Sequence, residues 1–359
     1  MIRRREFILY ALSAGSICAL NPRKSYASSY SIQLDDCFDR RAEFDTPPET
    51  IAPLGYYAQS VLYSINPKLL SEACLINPMS CTLDIEDDEQ LAELHSISND
   101  DATLEPSNAN SLEGIPTLDI GSESKSSPIA LNNVESETGS PSMYLDGSFE
   151  GLAQSYRKLG SVLNEPRCDE LATYLDSVYS EILARTDFLH CLPRRKVYIA
   201  AGPTGLEHET FNYLQDNVFE YLNCECINND VPCISIDENF SIIDLDELAA
   251  VDFDLIIFKD AKIESLEKEG EATRYLWENL IQMKQAKTLC APSTVFSWIE
   301  SPLVTQALGI LWLGKFLYPD KFKELDLMEY ASDFYRLFVH SEGSASAISQ
   351  LISQSVVRL

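Results

Sequence analysis

Two aromatic side chains lie in this sequence at a place where a loop should face solvent. The stretch PSTVFSWIESP starts at Pro292, carries Phe296 and Trp298, and ends at Pro302, just before an apolar segment. Flat rings bury large areas and stack on planar groups, so exposed rings of this kind suit a binding surface for aromatic molecules or metal chelates. The alternative is that both rings cap a hydrophobic core and contact nothing else.

Polar side chains that could bind a metal or a charged group occur in other short segments. Tyr56 and Tyr57 lie at the predicted start of a helix, and a phenol can coordinate ferric iron or form a hydrogen bond. His208, in GLEHET, could coordinate a metal or titrate near neutral pH. Lys125 and Lys259 could balance an anion. For the histidine and the lysines, the alternative is an ordinary solvated side chain.

The cysteines and the short motifs do not indicate catalysis. Cys224, Cys226 and Cys233 lie close together in the chain, but their spacing matches no common zinc pattern. Small buried side chains or one disulfide are the default expectation for them. The sequence contains no Gly-x-Ser-x-Gly, His-Glu-x-x-His or P-loop pattern, and its four histidines are isolated from one another. We therefore predict that the protein is not an enzyme.

Composition limits the class of partner. The chain has 359 residues and a formal net charge of -29, with an isoelectric point near 4.4. Binding to nucleic acid needs a basic face, so we expect no nucleic-acid partner. A chain of this length and hydrophobic content favours two domains.

The first 27 residues differ from the rest of the chain. A basic start, MIRRREF, precedes the apolar ILYALSAGSICAL and the small residues before Ala27, which is the pattern of a secretory signal peptide. Arg4 and Arg5 also fit the twin-arginine export motif, and the twin-arginine and general secretory routes both stay open. The apolar run 307–317 is too short to span a membrane and contains Lys315, so we predict a core helix there.

Strand and helix patterns alternate along the remaining chain, which predicts parallel sheets. A first α/β region covers 28–165 and includes an acidic, flexible surface insertion near 83–112. A long helix within 166–190 follows, with Leu171, Leu175 and Val178 on one face. A second α/β region covers 191–359. The prediction is two α/β lobes with parallel sheets, joined by one long helix.

The order and spacing of several segments resemble one family. They include IAPLGYYAQSVLYSINPKLL, PTLDIGSESKSSPIALNNVESETGSPSMYLDG, RRKVYIAAGPTGLE and APSTVFSWIESPLVTQALGILWLGKF. Together the chain resembles the periplasmic substrate-binding proteins of iron-complex, cobalamin and related ABC importers. The resemblance implies a monomer in the periplasm that holds a ligand between two lobes joined by a rigid helix. It implies a permease and its ATPase as partners, and no covalently required cofactor.

The resemblance also places the candidate ligand-binding residues. Ligands in open parallel sheets lie outside the carboxyl ends of the strands. The loops expected there are 53–57, 121–127, 202–208, 259–262 and 293–300. The candidate residues on these loops are Tyr56, Tyr57, Ser124, Lys125, Glu207, His208, Lys259, Phe296 and Trp298.

Docking to the permease is implied as well. Members of the family dock through one exposed glutamate on each lobe, and the matching positions here are Glu113 and Glu220. The alternative for both is an ordinary solvated carboxylate.

The ligand itself stays open between several classes. The first expectation is an iron complex, such as a siderophore-like chelate. Some relatives complete iron coordination with a histidine where this chain has Gln215, so direct iron ligation is in doubt there. Molybdate or tungstate, haem and a corrinoid are the alternatives within the class. An exported thiol metal-carrier or cofactor enzyme is the alternative from another class.

Overall fold

The computed structural model describes most of the chain after the first 30 residues. The described ranges are 31–70, 114–121, 128–202, 204–207, 218–236, 241–259, 271–293, 297–299, 303–340 and 345–355. The predicted signal peptide and the acidic insertion near 83–112 lie outside them. The segment Ile32–Leu359 forms one compact unit.

An antiparallel hairpin opens the described chain. Its strands are β1, Ile32–Asp35, and β2, Arg41–Phe44. The turn between them is held by the Asp36 carboxylate, which accepts hydrogen bonds from the backbone and guanidinium N–H groups of Arg40. Arg40 also donates to the backbone oxygen of Ser142 at 2.8 Å, which fixes the hairpin against the first sheet.

The first lobe contains a three-stranded parallel sheet. Its order is β3–β4–β5, with β3 at Ala52–Pro53, β4 at Thr117–Gly121 and β5 at Ser142–Asp146. A helix follows each strand in the chain: α1, Tyr56–Ile65; α2, Pro128–Thr138; and α3, Leu152–Leu163. The predicted alternation of strand and helix is confirmed in this lobe.

The long helix after the first lobe is α4, Arg167–Thr186. Its 20 residues span about 30 Å at 1.5 Å per residue. The predicted apolar face is buried, including Leu171, Leu175 and Val178. The helix ends before Leu189, where a separate 3₁₀ turn, Leu189–Cys191, redirects the chain.

The second lobe contains a four-stranded parallel sheet in the order β11–β10–β6–β7. The strands are β6, Arg195–Ala200; β7, Cys224–Cys226; β10, Leu255–Phe258; and β11, Lys287–Cys290. A small antiparallel hairpin lies beside it, β8, Cys233–Ser235, and β9, Ser241–Ile243. The described helices of this region are α5, Leu245–Ala250; α6, Glu271–Lys284; α7, Leu303–Leu317; α8, Leu327–Phe338; and α9, Ala345–Gln354.

Residues of the second sheet alternate between two hydrophobic clusters. Val197, Ile199 and Ile257 belong to the larger cluster, whereas Tyr198 and Ile256 belong to the smaller one. Successive strand residues point to opposite faces, so a sheet covered on both faces needs apolar residues at every position. The larger cluster continues through α4 into the first lobe.

The ends of three helices meet around Arg167. Its guanidinium donates to the backbone oxygens of Ser64 at the end of α1 and Leu337 at the end of α8. His340 contacts the same guanidinium through Nδ1 at 3.3 Å, and its Nε2 donates to the backbone oxygen of Tyr63 at 2.9 Å. His340 is therefore part of this helix junction.

The predicted core helix 307–317 is confirmed, because α7 contains it and its residues from Val304 to Gly314 are buried. Within the described ranges, no helix is both long and apolar enough to cross a membrane.

Candidate functional site

The carboxyl ends of the strands form the edges where the candidate site was predicted. In the first lobe the strands end at Pro53, Gly121 and Asp146. In the second lobe the strands of the central part of the sheet end at Ala200 and Phe258. Each predicted loop begins at the last residue of one of these strands or of β11, or no more than three residues after it. We therefore take these edges as the candidate site.

Several predicted residues lie outside the described part of the chain. They are Glu113, Ser124, Lys125, His208 and Phe296. The backbone of Tyr56 begins α1, and its side chain is also outside the description. Their roles stay predictions.

The first-lobe edge contains the start of α1. Gly55 occupies the N-cap position and offers no side chain to the first turn, which carries no acidic residue. Tyr57 is half-buried and packs against the larger hydrophobic cluster. Its backbone oxygen accepts a hydrogen bond from the Ser60 hydroxyl at 2.8 Å. Backbone N–H groups at the start of a helix carry a partial positive charge, so this end of α1 favours electron-rich groups.

The same edge contains a tightly packed polar turn after β5. The Asp146 carboxylate accepts a hydrogen bond from the backbone N–H of Ser148 at 2.8 Å. It lies so close to Gly151 that a Cβ there would be 1.9 Å from its Oδ2. Glycine at position 151 therefore leaves room for the Asp146 carboxylate just before the start of α3. Burial, followed by the charge of Asp146, raises the pKa of the neighbouring Cys37 thiol.

The second-lobe edge contains the turn from Ala201 to Glu207. Gly202 has a φ of 72°, and a Cβ there would lie 2.0 Å from the Glu207 side chain. The backbone N–H of Glu207 donates to the backbone oxygen of Ala201 at 3.1 Å, which closes the turn. Lys259, at the end of β10, is half-buried, and its backbone N–H donates to Ala200. Glu207 and Lys259 thus both lie at the predicted edge.

Two buried aromatic side chains support this turn from below. The Tyr198 hydroxyl donates to the backbone oxygen of Gly205 at 3.1 Å, and the Trp277 indole N–H donates to that of Thr204 at 2.8 Å. Backbone groups in the turn are therefore fixed by the core of the second lobe. Such support favours a preorganised binding edge.

Trp298 does not line an open surface. It is completely buried, and its indole N–H donates to the Tyr335 hydroxyl at 3.2 Å. Gly309 lets α7 approach closely, since a Cβ there would lie 1.9 Å from the Trp298 backbone oxygen. The expectation that Trp298 faces a ligand is wrong, and the alternative that it caps the core describes it better.

Glu220 is exposed and lines a groove of about 430 Å³. The groove lies against the C-terminal half of α4 and carries residues of both lobes. They are Glu150, Tyr179, Leu183, Thr186, Asp187, His190, Glu220, Tyr221 and Asn223. Sequence reasoning missed it, because the three segments that form it are far apart in the chain and share no motif. The docking role of Glu220 stays a prediction.

The two lobes touch each other beside this groove. The Tyr221 hydroxyl donates to the Glu150 carboxylate, and Phe149 packs edge-on against Tyr179 and Tyr221 with ring centroids 5.3 and 5.7 Å away. Burial, followed by the hydrogen bond to Glu150, raises the pKa of Tyr221 well above its ordinary value. The phenol therefore stays protonated and keeps this contact at physiological pH.

Metal-ligating side chains do not cluster in the described ranges. No group of three histidine, cysteine, aspartate or glutamate residues there could hold a metal ion. Free thiols there include Cys37, Cys168, Cys191, Cys224 and Cys233. Burial raises the pKa of Cys168 and of Cys224 to about 12. Thiolates are the reactive form, so these two thiols behave as inert core side chains.

Comparison with known proteins identifies the fold. No protein-family model matches the chain. A stretch of 62 residues is 34% identical to the molybdate-binding protein MolA of Haemophilus influenzae, covering 17% of this chain and 18% of that protein. The match thus spans less than a fifth of the length of MolA.

Solved structures cover the chain much more fully. An ABC transporter solute-binding protein from Sulfurospirillum deleyianum matches 90% of this chain and 99% of its own, with a TM-score of 0.65 at 15% identity. A periplasmic solute-binding protein from Veillonella parvula covers 89% and 96%, with a TM-score of 0.62 at 17% identity. MolA bound to molybdate covers 86% and 98%, with a TM-score of 0.53 at 14% identity.

The fold is therefore that of two-lobed periplasmic solute-binding proteins, which confirms the predicted α/β class with parallel sheets.

Proposed function

We propose that the protein is an exported solute-binding protein that captures a small molecule between its lobes and delivers it to an ABC importer. The observation that carries this proposal is the match of 90% of the chain to a solute-binding protein at a TM-score of 0.65. The partners would be a permease and its ATPase, and the protein would work in the periplasm as a monomer.

An iron complex is the solute we propose first. The described part of the candidate site offers the half-buried Tyr57, Glu207 and Lys259 at the two sheet edges. The family resemblance of the sequence supports an iron chelate, for which a phenol and an ammonium group are suitable contacts. Haem and a corrinoid are alternatives of the same kind.

Molybdate or tungstate is the second candidate. One specific observation favours it, the 62-residue stretch that is 34% identical to the molybdate-binding protein MolA. An oxyanion would suit the start of α1, where backbone N–H groups carry partial positive charge.

Thermal unfolding with added solutes tests this proposal. We would add ferric trihydroxamates and catecholates, molybdate, tungstate, haem and cobalamin separately to the purified protein. A solute at about 100 times its dissociation constant stabilises the folded state by about 2.7 kcal/mol, which raises the unfolding temperature measurably. A rise with ferric chelates alone supports the first candidate, and a rise with the oxyanions alone supports the second. No rise with any of them would contradict the proposal.

A further inference from the structure

The two lobes contact each other directly beside the C-terminal half of α4. The Tyr221 hydroxyl, on the second lobe, donates a hydrogen bond to the Glu150 carboxylate, on the first lobe. The rings of Phe149, Tyr179 and Tyr221 meet edge to face at the same place, with centroids 5.3 to 6.3 Å apart. The first lobe, α4 and the second lobe each supply one of these rings, and one hydrogen bond crosses between the lobes.

Glu150 is held on a fixed turn at the carboxyl edge of the first sheet. The Ser148 hydroxyl accepts a hydrogen bond from the backbone N–H of Gly151 at 3.0 Å. The backbone N–H of Gly147 donates to the backbone oxygen of Gly121 at 3.0 Å, and Gly121 is the last residue of β4. The turn that carries Glu150 is therefore bonded to the edge where the solute site was predicted, so the two move together.

Tyr221 is held as firmly on the second lobe. The backbone oxygen of the next residue, Leu222, accepts a hydrogen bond at 2.8 Å from the hydroxyl of Tyr318, which directly follows α7. The side-chain amide of Asn223 donates to the backbone oxygen of Leu192 at 2.8 Å. Because both sides of the contact are fixed to their own lobe, a movement of one lobe against the other changes the length of the hydrogen bond between them.

The lobes are also joined at the other end of α4, by a more extensive contact. The Arg167 guanidinium donates to the backbone oxygens of Ser64, on the first lobe, and Leu337, on the second. Arg167 begins α4 and lies about 18 Å along the helix from Tyr179, at 1.5 Å per residue. Two contacts this far apart fix the angle between the lobes, whereas one contact leaves a rotation about it.

The contact beside the groove is the weaker of the two. It has a single hydrogen bond, and its acceptor, Glu150, is exposed. Water can therefore replace the phenol when the bond breaks, so the net stabilisation is modest. The Arg167 contact has two charged hydrogen bonds that are partly buried, and it breaks less easily.

We propose that the hydrogen bond between Tyr221 and Glu150 is a releasable latch, which holds the two lobes at one separation and breaks when they move apart. The latch goes beyond the proposed function, because it acts in the chain without a solute. A net contribution of about 1.4 kcal/mol corresponds to a tenfold change in the equilibrium between held and released lobes. A released state of about 5% of the molecules would then become about a third of them once the latch is removed.

Distances between spin labels on the two lobes test the latch. The labels are attached to ketone-bearing amino acids introduced at Asn133, on α2, and Gln282, on α6, which are exposed positions, so the native cysteines stay unchanged. The variants are Tyr221→Phe, Glu150→Ala and Glu150→Gln, all without solute. The control is Tyr275→Phe, which removes a hydroxyl at an exposed position of α6. An unfolding curve for each protein shows that it is folded.

Each protein has a distinct expected result. The wild type gives one narrow distance. Tyr221→Phe removes only the hydroxyl, and Glu150→Ala removes the acceptor, so both add a second, longer distance in about a third of the molecules. Glu150→Gln keeps an acceptor oxygen and resembles the wild type. The control also gives one distance.

Other results would overturn the latch. One unchanged distance in folded Tyr221→Phe would show that the hydroxyl does not hold the lobes. A second distance of equal weight in the Tyr275→Phe control would show that the latch does not cause it. If Glu150→Ala does not fold, Tyr221→Phe decides alone.

The consequence for a solute rests on the proposed function and is measured separately. The ferric complex of desferrioxamine and sodium molybdate serve as probes, each added in excess to labelled Tyr221→Phe. A probe that binds between the lobes should return the two distances to one, because it favours one separation. If the wild type binds neither probe, the proposed function fails for these solutes, whereas the distances measured without solute still decide the latch.

Discussion

The two ends of helix α1 differ in how their polar groups are satisfied. At the C-terminal end, the backbone oxygen of Ser64 accepts from Arg167, that of Tyr63 accepts from His340, and the Ser64 hydroxyl lies 2.7 Å from the Tyr156 hydroxyl. At the N-terminal end, the N-cap is a glycine without a side chain, and the Gln59 amide oxygen has no partner within the described chain.

The two ends of this ten-residue helix thus differ in role, one structural and one functional. A fully connected buried network stabilises and specifies one arrangement of the chain, whereas an unsatisfied polar group weakens it. Proteins keep such local conflicts mainly at functional sites. The C-terminal end of α1 therefore joins three helices, and its N-terminal end belongs to the candidate site.

Replacing Trp298 should have the largest effect on stability. Trp298 is completely buried, although it lies in a loop predicted to contact a ligand. We expect Trp298→Ala to lower the free energy of unfolding by about 3–5 kcal/mol, as for other buried aromatic residues. Urea unfolding checks this, with Tyr275→Ala at an exposed position of α6 as the control. A loss below about 1 kcal/mol would mean that Trp298 does not stabilise the core, and Trp298 would again be a candidate ligand contact.

Replacing Arg167 should come next. Arg167→Met keeps much of the side-chain volume but leaves the backbone oxygens of Ser64 and Leu337 without their charged donor. We expect a loss of about 2–3 kcal/mol, because hydrogen bonds to charged groups are among the stronger ones. The control is Arg336→Met, which removes an exposed ion pair with Asp333 and should change stability by less than about 0.5 kcal/mol. Equal effects of the two substitutions would mean that the helix junction is not a stabilising network.

His340 should make the junction sensitive to pH. Burial first, and the charge of Arg167 next, lower the pKa of His340 below its ordinary value of 6.5. The folded state therefore favours the neutral ring, so the unfolded state binds more protons and stability falls as pH decreases from about 6.5. The Arg167 guanidinium and the Tyr63 ring both contact His340.

The matched variant is His340→Asn, because asparagine tolerates the left-handed φ of 55° at this position. We expect stability between pH 7.5 and 5.5 to fall less in the variant than in the wild type. Parallel pH curves for the two proteins would show that His340 does not control this dependence.

Changing Glu220 should have the smallest effect on folding. Glu220 is exposed, so we expect Glu220→Lys to change the free energy of unfolding by less than about 0.5 kcal/mol. If Glu220 docks on the permease, uptake by cells should fall while the isolated protein binds solute as before, since like charges at an interface cost binding energy. Normal uptake with intact folding would assign docking to another residue.

The sequence was sufficient for the fold because its strands and helices carry strong periodic signals. LIIF, in β10, is apolar at every position and is buried on both faces of the sheet, as expected for a parallel strand. The long helix was recognisable from its apolar face, and α4 lies within the predicted range 166–190. The short strands β1 and β3 have two to four residues and too little pattern to predict.

The candidate site was harder to predict, because its contacts join distant segments. Trp298 looks exposed in a Pro-rich loop, but in the fold it is buried, and its indole N–H donates to the hydroxyl of Tyr335 on α8. The contact between Tyr221 and Glu150 joins residues that are 71 positions apart in the chain, and no motif connects them.

Native mass spectrometry of protein purified from its own periplasm tests the central claim most directly. The spectrum gives the mass of any small molecule that stays bound, together with the first residue of the processed chain. The account predicts a monomer that starts after Ala27 and carries one molecule of a metal complex, with an isotope pattern that identifies the metal. A chain that keeps residues 1–27 and carries no solute, even after incubation with the ferric and molybdate probes, would contradict it.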